Sequence, residues 1–409
     1  MDGTGRPGEA DRMDTDVAII GAGPAGLSLA CALAGSGLRI TLLERAPEAS
    51  IADPAFDGRE IALTHRSQAI LRDLGAWDRI PASEIAPLRE AKVINSANPL
   101  ALRFAPGQAG EPLGRLVPNH LIRRALFETA ATTDARLIAG RAVTGLSLAP
   151  EGARVTLDGG EEVAARLVVA ADSRFSEARR RAGIGAAMLD FGRTMIVARV
   201  AHEAPHGGIA TEWFGHGQTI AMLPLNGAMS SVVLTLPPAV AEAAMAMTPD
   251  AFGAEVTRRY ESRLGPMTLA GMRHAYPLVA TYAHRFAGRR FALVGDAAVG
   301  MHPVTAHGFN FGLSGAEILA GELRRATDPG AEAGLRRYAG AHRRASLPLF
   351  LATNAVARLY SDDRAPARLA RAALIGAGAV LAPVRKAIVA GLMDAPGRPA
   401  WKPLPGTGR

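Results

Sequence analysis

The run Asp16-Val17-Ala18-Ile19-Ile20-Gly21-Ala22-Gly23-Pro24-Ala25-Gly26 constrains this chain more than any other stretch. Its apolar opening suits a strand buried on both faces. A Gly-x-Gly-x-x-Gly follows directly, and the Ala/Leu-rich residues from Pro24 to Gly35 read as a helix with proline in its first turn. Gly21 permits the tight turn, Gly23 leaves room for a pyrophosphate, and Gly26 lets helix and strand pack closely, with Ala25 in the same cradle. The helix N-terminus offers free N–H groups and a partial positive charge to phosphates. Leu38 to Leu43 is the next strand, and Glu44 ends it where a carboxylate accepts hydrogen bonds from ribose hydroxyls. The same glycines and Pro24 rule out reading Val17 to Ala34 as a signal-peptide core. The unit predicts a doubly wound α/β domain for a dinucleotide, FAD or NAD.

A second element decides for flavin. Phe291-Ala292-Leu293-Val294 is a buried strand running into Gly295-Asp296-Ala297-Ala298, then Gly300-Met301-His302-Pro303 and His307-Gly308-Phe309-Asn310, which opens a helix. Asp296 at the strand end can accept from ribityl hydroxyls. A helix N-terminus at Gly308, Phe309 and Asn310 can supply positive potential to a reduced ring without a charged side chain. Pro303 and Gly308 shape a close backbone wall. His302 and His307 flank this loop and are the candidate catalytic residues, placed to steer a proton at the flavin or at a substrate hydroxyl.

These residues resemble the second FAD motif of the para-hydroxybenzoate-hydroxylase-like flavoprotein monooxygenases, and most closely the ubiquinone-biosynthesis hydroxylases. Asp57-Gly58-Arg59-Glu60-Ile61-Ala62-Leu63 matches that family's Arg-x-x-Ala-Leu segment, which implies that Arg59 lies near the FAD pyrophosphate. Arg115-Leu116-Val117-Pro118-Asn119 resembles the segment entering its next helix, and Arg123 on that helix and Arg45 after Glu44 join the expected cofactor contacts. Asp172 stands where the family has its Asp-Gly motif, linked to FAD and NADPH binding. Tyr276-Pro277-Leu278 resembles a Phe-Pro-Leu run before the last FAD strand. The resemblance spans roughly residues 14–395. Three places depart from the pattern: Val299 replaces a histidine, Ser173 a glycine, and Thr305-Ala306-His307-Gly308 a Gly-Gln-Gly type loop.

Between the two FAD elements lies a strand-rich insertion. The expected division is a discontinuous FAD-binding domain over 14–180 and 281–330, with sheet excursions. A substrate-binding antiparallel sheet is expected over 181–280, a helical segment over 331–409, and a polar, Gly-rich N-terminus over 1–13, disordered or upstream of a start at Met13. Met195, Trp213, Phe214, Met222 and Leu223 are candidate pocket liners. Ala365 to Leu392 is apolar and helical with Arg364, Arg368, Arg371, Arg385 and Lys386 interspersed. It packs over the FAD domain or a dimer surface, or lies on anionic lipid.

Composition closes off other chemistries. The single cysteine, Cys31, excludes a disulfide framework and a cysteine metal site, and fits a reducing cytoplasm. Ten histidines give no metal spacing. The net charge of +8 rests almost wholly on arginine, with lysine only at Lys92, Lys386 and Lys402. No aromatic-interleaved basic run points to nucleic acid. Redox chemistry therefore falls to the flavin.

The resemblance implies reduction by NAD(P)H, reaction with O2, and oxygen transfer to the ring of a prenylated phenol. It implies no separate Rossmann domain for NAD(P)H. Such chemistry fails if water reaches the flavin, so a closed, mostly apolar site is expected. The expected protein is a cytoplasmic monomer or homodimer, peripheral at the inner face of the membrane or part of a quinone-biosynthesis complex. Two other readings share the fold: a flavin-dependent prenyl-chain reductase, and a non-catalytic flavin-binding subunit of a quinone-synthesis complex.

Overall fold

The computed structural model describes residues 14–95, 101–104, 112–215, 218–302 and 308–361. Residues 1–13, Pro303, the loop through His307 and the tail segment Ala365 to Leu392 lie outside the described residues.

The first strand, Thr15–Ile20, is buried along its whole length. It pairs in parallel with Ile40–Glu44 on one side and with Glu162–Ala170 on the other. Parallel neighbours need a crossover, and the helix Pro24–Leu33 supplies it. The late strand Phe291–Leu293 adds in parallel beside Val168–Ala170, so two distant segments complete one eight-stranded sheet. Helix Pro24–Leu33 packs against both Asn119–Ala130 and Gly308–Leu323 beside this sheet. Their buried alanines and glycines allow the close approach that the core requires. The α/β class with a helical C-terminal segment, Glu332–Ser361, is as expected.

The second sheet has nine strands. Its long strand Ala186–His202 pairs antiparallel with Met229–Leu236 and with His274–Ala283, with a register shift between Asp190 and Thr194. The helices Pro238–Ala246 and Pro249–Arg259 seal one face with Trp213, Ile220, Met222, Val232, Leu234 and Phe252. One sheet excursion of the 14–180 segment reaches this second sheet. Glu90–Asn95 belongs to this sheet, pairing in parallel with Ile209–Gly215. Its alternating charges gave no local sign of so distant a partner.

Strand parity sorts the candidate liners. Trp213 and Met222 point to the helix side and belong to that core. Met195, with Val197 and Leu278, forms a separate cluster on the opposite face, packed by Phe191, Val233 and Tyr276. Phe214 and Leu223, one residue out of phase with Trp213 and Met222, share that face.

Candidate flavin and substrate site

The first phosphate loop is held by sterics. Gly21 has φ +107°, and a Cβ there would stand 2.7 Å from the Ala171 carbonyl oxygen. A Cβ on Gly26 would stand 2.0 Å from the Gly21 carbonyl oxygen, so helix and turn touch backbone to backbone. Gly23 differs: nothing lies within 4 Å of its missing Cβ. That open space sits at a helix N-terminus with no side-chain cap, which leaves amide hydrogens directed at a ligand. Glu44 is aimed at the same loop. Its Oε2 accepts from the Ala22 N–H at 2.8 Å and its Oε1 from the Ala46 N–H at 2.9 Å. Each oxygen keeps a lone pair for ribose hydroxyls. Arg45 is exposed beside it.

Two arginines complete the basic side. Arg59 pairs with Asp57 at 2.5 Å, and Asn119 and Tyr276 hold Asp57 through its carboxylate and its carbonyl, each at 2.7 Å. Arg123 is partly buried near Asp57, Arg59 and Glu44; burial drags its pKa down, the Arg59 cation adds to that, and the Asp57 and Glu44 carboxylates oppose it. Among the described residues no hydrogen bond or ion pair claims its guanidinium. A desolvated cation left over beside a phosphate cradle fits an anionic ligand. The residues present therefore fit the FAD pyrophosphate.

The flavin-side element meets this loop directly. Gly295 has φ +62°, and a Cβ there would stand 2.7 Å from the Ala25 Cβ; Gly312 lies against the same pair. The two halves of the motif, far apart in sequence, thus share one point of contact. Asp296 is partly exposed, and its Oδ2 accepts from Arg174 at 3.2 Å. Asp172 is exposed, abuts Gly21 and accepts from the Glu177 N–H at 3.0 Å. Asn310 is buried, accepting from the Thr64 N–H at 3.2 Å and donating to the Ala62 carbonyl at 2.9 Å. Its side chain thus braces the flavin helix against the Arg59 segment. Phe309 packs on the main core and Gly308 opens the helix. His302 is buried edge-on against Phe191, with ring centroids 4.6 Å apart, and burial lowers its pKa to about 4, so it is neutral at pH 7.

Two of the departures, Ser173 and Val299, are accommodated, and the loop Thr305-Ala306-His307 lies outside the described residues. The Ser173 hydroxyl accepts from the Phe175 N–H at 3.2 Å, and its backbone stays out of the left-handed region that would demand glycine. Val299 is buried and pairs with Tyr282. Sequence reasoning missed Arg179. It is buried, donating to the Ala297 carbonyl at 2.8 Å and to the Arg174 carbonyl at 3.2 Å, with Ser176 capping its helix. The run Asp172-x-x-x-Ser176-x-x-Arg179 after a strand was the available signal.

Glu44 offers a direct check. In Glu44→Ala the Ala22 and Ala46 amides lose their acceptor and the ribose loses its partner. FAD affinity should fall roughly tenfold to a hundredfold, with a small change in Tm, as read by titrating apoprotein with FAD. Unchanged affinity would remove Glu44 from the site.

The sequence pattern of the FAD-binding-domain family matches residues 14–347. The chain is 43% identical over 386 residues to ubiquinone hydroxylase UbiM of Neisseria meningitidis, covering 92% of this chain and 84% of that protein. It is 38% identical over 385 residues to ubiquinone hydroxylase UbiL of Rhodospirillum rubrum, covering 93% and 89%. Its fold matches that of p-nitrophenol 4-monooxygenase PnpA of Pseudomonas putida with a TM-score of 0.73 at 20% identity, over 94% of this chain and 98% of that one. The chain belongs to the FAD-binding-domain family of flavoprotein monooxygenases, in the group that contains the ubiquinone hydroxylases.

Proposed function

We propose that this enzyme hydroxylates the aromatic ring of a polyprenylated phenol on the way to ubiquinone, with FAD as cofactor, NAD(P)H as reductant and O2 as co-substrate. The observation that carries the reading is the half-open sheet face beside the flavin loop. On its helix side Val232 and Leu234 are buried, whereas Val233 and Thr235 on the other side are partly accessible. That face begins at Phe191 against His302 and continues through Met195, Leu278 and Val233. It offers an apolar ring a dry bed next to the cofactor. FAD, when bound, supplies the electron transfer and oxygen activation. The protein binds its pyrophosphate through the Gly21–Gly26 loop, Arg59 and Arg123, and its ribose through Glu44. His302, buried against Phe191, and His307 are the candidates to steer a proton at the flavin or at the substrate hydroxyl.

The bed suits a lipid-soluble substrate, and this brings the enzyme to the membrane surface as a peripheral monomer or homodimer. No described helix is long and apolar enough to cross a membrane. The test is purified enzyme with FAD, NAD(P)H and a short-chain prenylphenol. One O2 should be consumed per ring hydroxyl formed, with NAD(P)H oxidation stimulated by the phenol. A saturated prenyl chain formed without O2 would establish a prenyl reductase instead. Phenol-independent NAD(P)H turnover with no product would leave a flavin-binding subunit.

A further inference from the structure

Residues 57–60 are fastened to the second sheet at both ends. At one end the Tyr276 hydroxyl donates to the Asp57 carbonyl at 2.7 Å. At the other, Arg199 Nε donates to Glu60 Oε1 at 2.9 Å. Tyr276 stands in the strand His274–Ala283 and Arg199 in its neighbour Ala186–His202. Between these two clips the chain lies directly on the sheet. Gly58 has φ +76°, and a Cβ there would stand 2.8 Å from the His274 ring. Phe56 meets the same ring edge-on, with centroids 5.7 Å apart. A segment held in this way follows the sheet when the sheet shifts.

The middle of the segment carries the cofactor arginine. Arg59 donates to Asp57 Oδ2 from Nε at 3.0 Å and from Nη2 at 2.5 Å, and Asn119 donates to the same oxygen at 2.7 Å. Burial would lower the Arg59 pKa, but Asp57 above all, then Tyr276 and Asp296, hold it up. Arg59 is thus within electrostatic reach of Asp296 in the second FAD motif. Tyr276 belongs to both sites. Its hydroxyl holds the arginine segment, and its ring centroid lies 5.7 Å from the Arg59 guanidinium. The same ring packs on Met195, Val197 and Leu278, the cluster that includes Phe191 beside His302. Met195 is its direct cross-strand partner.

We propose that Tyr276 is a positioning residue that couples the two ligands: a phenol on the sheet face fixes its ring, and its hydroxyl, through Asp57, fixes Arg59 on the FAD pyrophosphate, so that substrate and FAD bind cooperatively. The place of the phenol rests on the hydroxylase reading above. A partly accessible tyrosine ring has freedom to lose, and the ligand that orders it spares the other ligand that cost. The arginine fork gains from this because a bidentate contact with phosphate depends on orientation. Linkage makes the effect reciprocal: FAD tightens the phenol by the same factor. Tyr276 takes no part in oxygen transfer.

The test titrates full-length apoprotein with FAD, followed by flavin fluorescence, with and without a geranyl-substituted 2-methoxyphenol. The phenol should tighten FAD binding to the wild type roughly tenfold. Tyr276→Phe keeps the ring and deletes the donor, so the factor should fall below about twofold. Calorimetric affinity of the phenol for the apoprotein should stay within about twofold of wild type, which a general loss of structure would not allow. Should Tyr276→Phe fold poorly, Asp57→Asn breaks the same chain one step later and should also abolish the coupling. FAD affinity that is indifferent to the phenol in the wild type overturns the proposal, as does a Tyr276→Phe variant with the wild-type factor. If the coupling runs through Tyr276 but no oxygen reaches the ring, the hydroxylase reading fails and the coupling stands. If the ring is hydroxylated while the phenol leaves FAD affinity unchanged, the coupling falls and the hydroxylase stands.

Discussion

Gly26→Ala should yield a chain without bound flavin, and most of it should be insoluble. The added Cβ meets the Gly21 carbonyl oxygen at 2.0 Å, and that oxygen cannot retreat. The Gly21 amide donates to the Leu43 carbonyl at 2.8 Å, and the turn is backed by Ala171 and Asp172. Relief requires the helix Pro24–Leu33 to move off a sheet whose facing residues are all buried, at a cost on the order of 4 kcal/mol or more. Gly23→Ala is the informative control. Its Cβ enters open space, so the fold should keep its Tm within a few degrees. FAD affinity should drop roughly a hundredfold, because the methyl takes the room left for a phosphate. Flavin absorbance of the purified protein, with thermal unfolding, separates the two. Equal behaviour of both variants would show that this loop does not work as described.

Arg199→Met should produce the largest loss among surface-reachable side chains. Arg199 donates to Glu60 Oε1 from Nε at 2.9 Å and from Nη2 at 2.7 Å, and the Glu60 side chain has 0% exposure. Glu60 Oε2 has no hydrogen-bond partner among the described residues. Methionine leaves a buried carboxylate without its cation, which costs about 3–5 kcal/mol at pH 7. Burial already raises the Glu60 pKa, and Arg199 is the main opposing influence. Without Arg199 the folded-state value rises further above the unfolded one. The penalty is then small at pH 5, where Glu60 takes a proton, and grows as pH rises towards the new folded value. Denaturant unfolding at pH 5 and pH 8 should show the variant losing far more than wild type between them. Arg199→Met/Glu60→Leu should recover most of the stability. A pH-independent loss would assign the effect instead to the stacking of Arg199 over Phe56, 4.7 Å from the ring centroid.

Much of this was legible in the chain because local physics decided it. Glycines at 21, 23 and 26 between a buried strand and a helix admit few geometries, and Glu44 stands where the second strand must end. The contact of Gly295 with Ala25 followed from two motifs that each demanded the same ligand. What stayed hidden depended on pairings between distant segments. The charges of Glu90–Asn95 do not announce its partner at Ile209–Gly215. Trp213 and Phe214 are equally apolar, yet one faces the helices and the other the open side. Parity along a strand assigns a face only once the covering helices are known.

The brace between Asn310 and Thr64 spans 246 residues, and the Arg66–Glu317 ion pair beside it spans 251. During synthesis the first strands of the FAD sheet leave the ribosome long before their last parallel partner, Phe291–Leu293. At ordinary translation speeds roughly 6–25 s separate Ala170 from Leu293. Through that interval the strand Glu162–Ala170 has an open edge, and the phosphate loop lacks the residue that closes against Ala25. High contact order of this kind makes the flavin pocket a late product of folding. Cofactor capture is therefore a step of the finished chain, after Phe291–Leu293 has closed the sheet edge, and free FAD at that moment stabilises the pocket by binding only the folded state.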